Sequence, residues 1–137
     1  YERTYEGEPA MKLESAAVEG KDVLNLKPVL KGKIVETTSL VHEVFTRRDS
    51  HSVADLACSA QSYLARDLAQ LAVEEAQRLG VDVIGFSGGV AYNEHIARNI
   101  RKMVEESGFK CIVHSLVPPG DGGISFGQAV ANAFLHG

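Results

Sequence analysis

The sequence has no tryptophan, and its aromatic side chains are four tyrosines and five phenylalanines, so the core must rest on aliphatic residues. It contains no apolar run near the ~20 residues that a membrane-spanning helix needs, which argues against a membrane partner. It has no basic segment followed by an apolar one at its start, so no secretory signal is visible. A net charge of −4 without a basic stripe argues against a nucleic-acid partner.

Cysteine is scarce and histidine is scattered. Cys58 and Cys111 lie far apart and form no CxxC pair, so both are predicted to be reduced core residues, which suits a cytoplasmic location. The five histidines show no HxxH or HxxxH spacing. A metal site formed wholly within this chain is therefore not expected.

Length and composition predict one globular domain over residues 1–137. A chain of this length can bury a core of its own, and 45% hydrophobic with 23% charged residues is ordinary for a globular protein. The opening Tyr1–Gly7 is polar and has no helix or strand period. We therefore expect the chain to be a fragment of a longer protein.

Hydrophobic spacing predicts an α/β fold. Three short apolar pieces, Val23–Leu26, Val29–Leu30 and Lys33–Val35, are predicted to form antiparallel strands that turn at Gly32. The order strand, helix, strand over residues 81–114 predicts a right-handed crossover between parallel strands. The predicted helices cover 9–18, 40–47, 53–79, 94–106 and 124–135, and the two longer strands cover 81–86 and 109–114.

The helix over 53–79 is the longest of these. Its apolar residues recur at three-and-four spacing and predict one buried stripe that includes Leu68 and Leu79. Residues 49–52 offer an N-cap, and Gly80 offers a C-cap. Residues 37–39, all Ser or Thr, are the predicted N-cap of the preceding helix.

Paired glycines follow the strand predicted over 81–86. Gly88 and Gly89 have no Cβ, so the backbone can take positive φ and approach a bulky ligand. With the N-terminus of the next helix, their amides could bind a phosphate. The alternative is that the two glycines only serve a tight turn between strand and helix.

Asp121 lies in a second glycine-rich turn, after the strand predicted over 109–114. Its carboxylate could ligate a hard cation beside a phosphate, or could only cap a turn or the final helix. Consecutive parallel strands bring their C-terminal ends to one edge of a sheet. We therefore expect the turn at Asp121 and the Gly88–Gly89 turn to line one crevice.

Other polar residues have both ordinary and functional interpretations. Asn93 begins a predicted helix, where it would cap the helix, contact a nucleotide, or do both. His51 precedes the longest helix and is either a general acid or base or a surface histidine. His95 and His114 are predicted to be surface or core-edge residues, and Glu14 a solvated carboxylate.

Four ordered motifs converge on one family. Residues 5–14 have the sequence YEGEPAMKLE, His51 precedes the long helix, residues 87–93 have the sequence SGGVAYN, and residues 118–129 have the sequence PPGDGGISFGQA. Over essentially the whole chain this pattern resembles the C-terminal part of the HypF family of hydrogenase-maturation carbamoyltransferases. The chain departs from the family at Pro9, usually Ala, and at Ser50, where an aromatic residue is common.

The resemblance implies the second half of a nucleotide-binding fold of the sugar-kinase, heat-shock and actin type, which is ribonuclease H-like, with a small mixed sheet and flanking helices. It implies that the whole protein uses carbamoyl phosphate and ATP to form carbamoyl-adenylate, and passes the carbamoyl group to the C-terminal cysteine of HypE. Position by position, it implies a catalytic role for His51, metal ligation by Asp121, and nucleotide contacts by Gly7, Glu14, Ser87, Gly88, Gly89 and Asn93.

The implied cofactors are ATP and a divalent metal (Mg, Fe or Zn) whose other ligands are histidines outside this chain. One carboxylate holds such an ion weakly, so we expect the fragment alone to be inactive and consider that it could form a homodimer. One alternative is a tRNA threonylcarbamoyladenosine-forming transferase, although that family normally has D-N-G where this chain has Asp121-Gly122-Gly123. The other alternative is a non-catalytic nucleotide-binding or docking module.

Overall fold

The computed structural model describes Glu2 and residues 4–136, and for the last of these only the backbone. Of the polar segment Tyr1–Gly7, Tyr1 and Arg3 lie outside the described residues. The elements in chain order are α1 (Glu8–Ala17), β1 (Leu30–Lys31), β2 (Ile34–Val35), α2 (Thr38–Arg47), α3 (Val53–Leu79), β3 (Val83–Phe86), a 3₁₀ turn (Gly89–Tyr92), α4 (Glu94–Glu106), β4 (Lys110–Val113) and α5 (Gly122–His136).

Helix α3 is the element on which the others pack. Its main neighbours are α1 and α4, with α2 and β3 making smaller contacts. One apolar cluster joins α3 to α4 and β4 through Ala65, Ala69, Ile100, Val104 and Cys111. Burying aliphatic side chains such as those of Ile100 and Val104 contributes about 1.5–3 kcal/mol each. The buried residues of α4, Ile96, Ile100 and Val104, recur every four positions and form one face of the helix.

The buried surface of α3 is broader and more polar than its apolar stripe predicted. Leu68 and Leu79, which were expected to be buried, are 39% and 60% exposed. Gln61 and Asp67 are at most 1% exposed instead. The prediction was wrong here because the helix is covered on several sides, and part of that cover is irregular backbone that needs hydrogen-bond partners.

The segment between α1 and β1 supplies that irregular backbone. The predicted strand Val23–Leu26 does not form; the Ser59 hydroxyl accepts hydrogen bonds from the N–H groups of Val23 and Leu24, at 3.0 and 3.2 Å. Further along, Asp67 Oδ1 accepts from the Val29 N–H at 3.1 Å. Side chains of α3 thus take the place of a neighbouring strand.

The antiparallel hairpin expected at Gly32 is confirmed, with Leu30 opposite Val35. Helix α2 begins differently from the prediction. Thr37 occupies its N-cap position but makes no side-chain cap. The Glu36 carboxylate accepts from the N–H groups of Thr38 and Ser39 at 2.9 and 3.1 Å, because its longer side chain can curl over the first turn.

Strands β3 and β4 pair in parallel, with α4 as the connection between them, as the sequence predicted. The fold class is α/β as expected. The four strands, however, lie in two separate two-stranded sheets, one antiparallel and one parallel, rather than in one mixed sheet. Along residues 4–136, each helix is either too short or too polar to cross a bilayer.

Helix α5 has no charged residue, and several of its large apolar side chains are exposed. Phe134 is 86% exposed and Leu135 is 77% exposed. The polar residues Ser125, Gln128 and Asn132 share one face of the helix, and an apolar surface as wide as the rest is normally buried. This surface is therefore suited to contact with another polypeptide.

Candidate functional site

The two glycine-rich turns meet at the C-terminal edge of the parallel strands. The Gly88 N–H donates to the Pro119 carbonyl oxygen at 2.9 Å, and the Ser87 hydroxyl donates to the same oxygen at 3.3 Å. Because Phe86 pairs with Val113, β3 and β4 end level and release both turns on one side. The expectation that the two turns lie together is confirmed, and we call them the glycine corner (residues 87–92 and 118–123).

Backbone conformation explains the glycines of this corner. Gly88 has φ 98° and ψ 176°, a combination essentially restricted to glycine. A Cβ atom at Gly120 would lie 2.7 Å from Cε2 of Tyr92, so that position requires a close approach between the two turns. Gly89 has neither a positive φ nor a close neighbour within 4 Å. Its lack of a side chain is not explained by folding.

Asn93 joins the corner to the core. Its Oδ1 accepts from the Ile96 N–H at 2.9 Å, which confirms the predicted N-cap. Its Nδ2 donates to Oε1 of Gln61 at 2.7 Å, and Gln61 Nε2 donates to the Leu13 carbonyl at 3.1 Å. Sequence reasoning missed Gln61; the available signal was an amide side chain inside the buried part of α3.

Glu14 reaches the same helix end from α1. Its Oε1 accepts from the Glu94 N–H at 2.9 Å, so it is partly buried rather than simply solvated. Glu14 and Asn93 therefore share the first turn of α4, as the nucleotide hypothesis requires. Because they already occupy the amides of Glu94 and Ile96, an anion at this corner would have to use amides of the glycine turn.

Asp121 is exposed at the start of α5, where its carbonyl oxygen accepts from the Ile124 N–H at 3.0 Å. Within the part of the chain that the structure describes, no three His, Cys, Asp or Glu side chains cluster in a way that could hold a metal ion. A single carboxylate does not make a divalent-cation site. The described residues do not form a complete metal site by themselves.

Two of the predicted site residues, His51 and Gly7, have local contacts outside the corner. His51 lies at the α2–α3 junction with its Nδ1 2.9 Å from the Ser50 hydroxyl, and α3 rises about 12 Å between Val53 and Gln61. Gly7 is the N-cap of α1, with φ 84°. In the described residues no hydrogen bond connects either residue to the corner, so their roles remain predictions.

Two histidines that were expected to be ordinary have specific partners. His95 Nε2 lies 2.8 Å from the Ser62 hydroxyl, and burial lowers the pKa of His95, which indicates a neutral core histidine. His114 Nε2 lies 2.8 Å from the Ser87 hydroxyl at the exposed end of β4. Of the two, only His114 contacts the glycine corner.

Comparison with known proteins is consistent across sequence and structure. Residues 1–128 match the family model described as "Carbamoyltransferase, Kae1-like Domain, second subdomain". The probable carbamoyltransferase HypF of Methanocaldococcus jannaschii is 37% identical over 138 residues, which are 100% of this chain and 18% of that protein. A tRNA N6-adenosine threonylcarbamoyltransferase of Nostoc punctiforme is 30% identical over 98 residues, 72% of this chain and 28% of that protein.

Solved structures give the same result. The crystal structure of T. kodakarensis HypF superimposes with a TM-score of 0.85 and 43% identity, covering 96% of this chain and 17% of that one. A full-length HypF in a phosphate- and nucleotide-bound form superimposes with a TM-score of 0.81 and 27% identity, covering 99% of this chain and 18% of that one. These matches confirm the expected fold, and this chain spans about a fifth of the length of the HypF proteins it resembles.

Proposed function

Since this chain belongs to the family of Kae1-like carbamoyltransferase domains found in HypF proteins, we propose that it supplies one half of the ATP-binding site of a HypF-type carbamoyltransferase. The observation that carries the proposal is the junction at the glycine corner, where Gly88 and Ser87 both bond to the Pro119 carbonyl. This junction holds an open glycine turn beside the Asp121 loop.

The turn is suited to phosphate oxygens. N–H groups at the start of a helical turn have no partners within the turn, which leaves those of Gly89 and Val90 for a ligand. Without a Cβ at Gly89, a phosphate can approach these amides closely. In this proposal Ser87, Gly88 and Gly89 contact the phosphates.

The nucleoside would lie toward α1. Glu14 and Asn93 meet at the first turn of α4, and each uses only part of its hydrogen-bonding capacity there. The second carboxylate oxygen of Glu14 is an acceptor suited to a ribose hydroxyl. A contact from Gly7, which is the N-cap of the same helix α1, would extend this side of the site.

A divalent metal fits the proposal only in part. Asp121 would offer one carboxylate, and phosphate oxygens, water and ligands from outside this chain would have to complete the coordination. The identity of the ion, Mg, Fe or Zn, does not follow from one oxygen ligand. We therefore assign no catalytic step to the metal.

Calorimetric titration of the chain with MgATP tests the proposal. We expect weak binding that Glu14→Gln and Asp121→Asn each reduce about tenfold, the equivalent of one charge-assisted interaction. Glu14→Gln keeps an acceptor for the Glu94 N–H, so α4 should stay capped. Glu106→Gln, at the exposed far end of α4, is the matched control. MgATP affinity that none of the variants changes would contradict the proposed site.

The activity of the whole protein is a proposal as well. The protein would use carbamoyl phosphate and ATP to form carbamoyl-adenylate and carbamoylate the C-terminal cysteine of HypE, with His51 as a candidate acid or base. We expect the 137-residue chain alone to show no transfer, because it lacks the other side of the nucleotide site. Incubation with carbamoyl phosphate, ATP and HypE, read by the mass of HypE, checks this; carbamoylated HypE would refute it.

The Nostoc relative favours a second candidate, a threonylcarbamoyltransferase that acts on tRNA. The chain's net charge of −4 and the Gly122-Gly123 pair after Asp121 favour the first candidate. Titration with tRNA at physiological salt separates the two candidates. Specific tRNA binding with a Kd below about 1 µM at physiological salt would favour the second.

Self-association is the remaining proposal about partners. The exposed apolar side chains of α5, among them Phe134, which is 86% exposed, would be covered in a homodimer. Sedimentation velocity with and without ATP tests this. Dimers that are insensitive to nucleotide and lost in Phe134→Glu are expected; a monomer at all accessible concentrations would refute the dimer.

A further inference from the structure

A groove of about 290 Å³ opens next to the glycine corner, between α4 and the end of β4. Helix α4 contributes Glu94, Arg98 and Arg101 to its lining, and the end of β4 contributes His114. Pro119, whose carbonyl binds the two turns together, forms part of its wall. The groove and the corner therefore share one set of supporting residues.

The groove is locally positive in a protein whose net charge is −4. Two arginines line it against one glutamate. Glu94 Oε1 accepts from Arg98 at 2.9 Å, whereas Arg101 Nε is 3.6 Å from Glu105 Oε1, in a looser pair. Exposed pairs of this kind contribute little, so both guanidinium groups can turn to a ligand at small cost.

The His114 ring is held in place through one of its nitrogens. Nε2 lies 2.8 Å from the Ser87 hydroxyl, and in the described part of the chain no other hydrogen bond to this ring is recorded. The Ser87 hydroxyl can donate to Nε2 or to the Pro119 carbonyl at 3.3 Å. The hydroxyl has one hydrogen; when that hydrogen points to Nε2, at the shorter distance, the Pro119 carbonyl keeps its bond from the Gly88 N–H, and the neutral ring carries its proton on Nδ1, which is then a donor for a ligand.

We propose that this groove is a second anion-binding subsite, in which Arg101, Arg98 and the Nδ1–H of His114 bind a small phosphate-bearing anion while Ser87 orients the imidazole. A planar guanidinium and an N–H donor are the groups that suit phosphate oxygens. The volume admits a free phosphate or a small acyl phosphate, which share this chemistry. The site goes beyond the proposed nucleotide site: it shares only Ser87 with the proposed phosphate contacts, and it uses none of the groups assigned to the nucleoside.

The test is a titration of the ¹⁵N-labelled chain with inorganic phosphate at pH 7, with chemical shifts followed at the His114 ring and the backbone of residues 97–101. His114→Gln places its side-chain amide near the position of Nε2, where the amide oxygen can accept from the Ser87 hydroxyl, and it loses the Nδ1 donor. His114→Asn does the reverse. We expect Kd to rise about tenfold in His114→Gln and in Arg101→Gln, and less in His114→Asn.

Two matched controls accompany these variants. His42→Gln changes an exposed histidine of α2, and Arg78→Gln removes an arginine that pairs with Glu75 on α3. Both should leave the Kd for phosphate unchanged. A parallel titration with acetyl phosphate identifies the source of the anion: tighter binding than inorganic phosphate supports an acyl phosphate, and equal binding supports free phosphate.

If phosphate changes no chemical shift at the His114 ring or at residues 97–101, the inference is overturned. So would Kd values in His114→Gln and Arg101→Gln that equal those of the controls. Binding of MgATP is measured separately on the same proteins. The phosphate titration can thus refute the subsite without refuting the nucleotide site, and the MgATP titration can refute the nucleotide site without refuting the subsite.

Discussion

Asn93 donates through Nδ2 to Oε1 of Gln61 at 2.7 Å, and this single contact ties the N-cap of α4 to the middle of α3. Gln61 is 1% exposed, and its own amide nitrogen donates to the Leu13 carbonyl of α1. Three helices therefore depend on one buried side-chain amide. The nucleotide hypothesis depends on the same contact, because it fixes the direction of the turn that contains Gly88 and Gly89.

Gln61→Leu should destabilise the protein by about 1–3 kcal/mol, because it leaves the part-buried Asn93 amide and Leu13 carbonyl without their partner. The free energy of unfolding in urea measures the change. Gln70→Leu is the control, since Gln70 is exposed and its side chain donates to Glu74 on the same helix. It should change stability by less than about 0.5 kcal/mol. Equal losses in the two variants would show that the buried amide is not special.

The pattern of the sequence was sufficient for β3, α4 and β4, and so for the meeting of the two glycine turns. Each of these elements is set by its own periodicity, and a parallel strand pair can release its two turns on only one edge. The region between α1 and α2 was not predictable in the same way. The backbone of Val23 and Leu24 bonds to Ser59, and that of Val29 to Asp67, at least 35 residues later.

The site residues likewise separate into those with local partners, which the sequence could predict, and those with distant partners, which it could not. Asn93 was predictable as a cap because capping is local, within three residues. Gln61 and the Ser87–His114 pair were not, because those partners are 32 and 27 residues apart and no local pattern relates them. His51 was proposed from its place before the longest helix and from the family motif, and Gly7 from the motif; among residues 4–136 no hydrogen bond brings either of them to the corner.

Acid should weaken the protein partly through Glu36. Hydrogen bonds from Ser39 and Thr38 hold the pKa of Glu36 at about 2, against a usual value of 4.5. A depressed pKa means that the ionised carboxylate stabilises the fold above pH 4.5, and that this stabilisation is lost as the pH falls from 4.5 to 2. Glu36→Gln should therefore flatten the fall in unfolding midpoint over that range.

The Glu36→Gln variant should still lose some stability in acid, because a second carboxylate has a lowered pKa. Hydrogen bonds from Arg78 and Lys33 hold the pKa of Glu75 at about 2. Urea midpoints measured between pH 2 and pH 7 give the comparison. Glu106→Gln, whose ion pair with Lys102 is 3.9 Å long and exposed, should follow the wild-type curve. A Glu36→Gln curve parallel to the wild type would contradict the assignment of Glu36 as the cap of α2.

Gly20 lies against the first turn of α3. A Cβ at this position would lie 2.0 Å from the Ala54 carbonyl oxygen, which is backbone and cannot move aside without shifting the helix. Gly20→Ala should therefore cost about 1–3 kcal/mol through overpacking. Gly127→Ala, in the middle of α5 with nothing within 4 Å, should instead stabilise the protein by about 0.5–1 kcal/mol. The opposite ranking in urea unfolding would show that α1 does not dock as described.

Gly88 and Gly89 separate the requirements of folding from those of ligand binding. Gly88→Ala forces a side chain into φ 98°, ψ 176° and should cost about 1–3 kcal/mol of stability. Gly89→Ala meets nothing within 4 Å and has no positive φ, so it should unfold at the same urea concentration as the wild type, within error.

If the amides of this turn bind phosphate, however, the methyl group of Gly89→Ala stands between them and the ligand. We expect Gly89→Ala to weaken MgATP binding about tenfold or more while its stability is unchanged, as measured by calorimetry and urea unfolding on the same sample. Unchanged MgATP affinity in a fully folded Gly89→Ala protein would mean that the glycine pair only turns the chain from β3 into α4, and the phosphate site would have to be sought elsewhere.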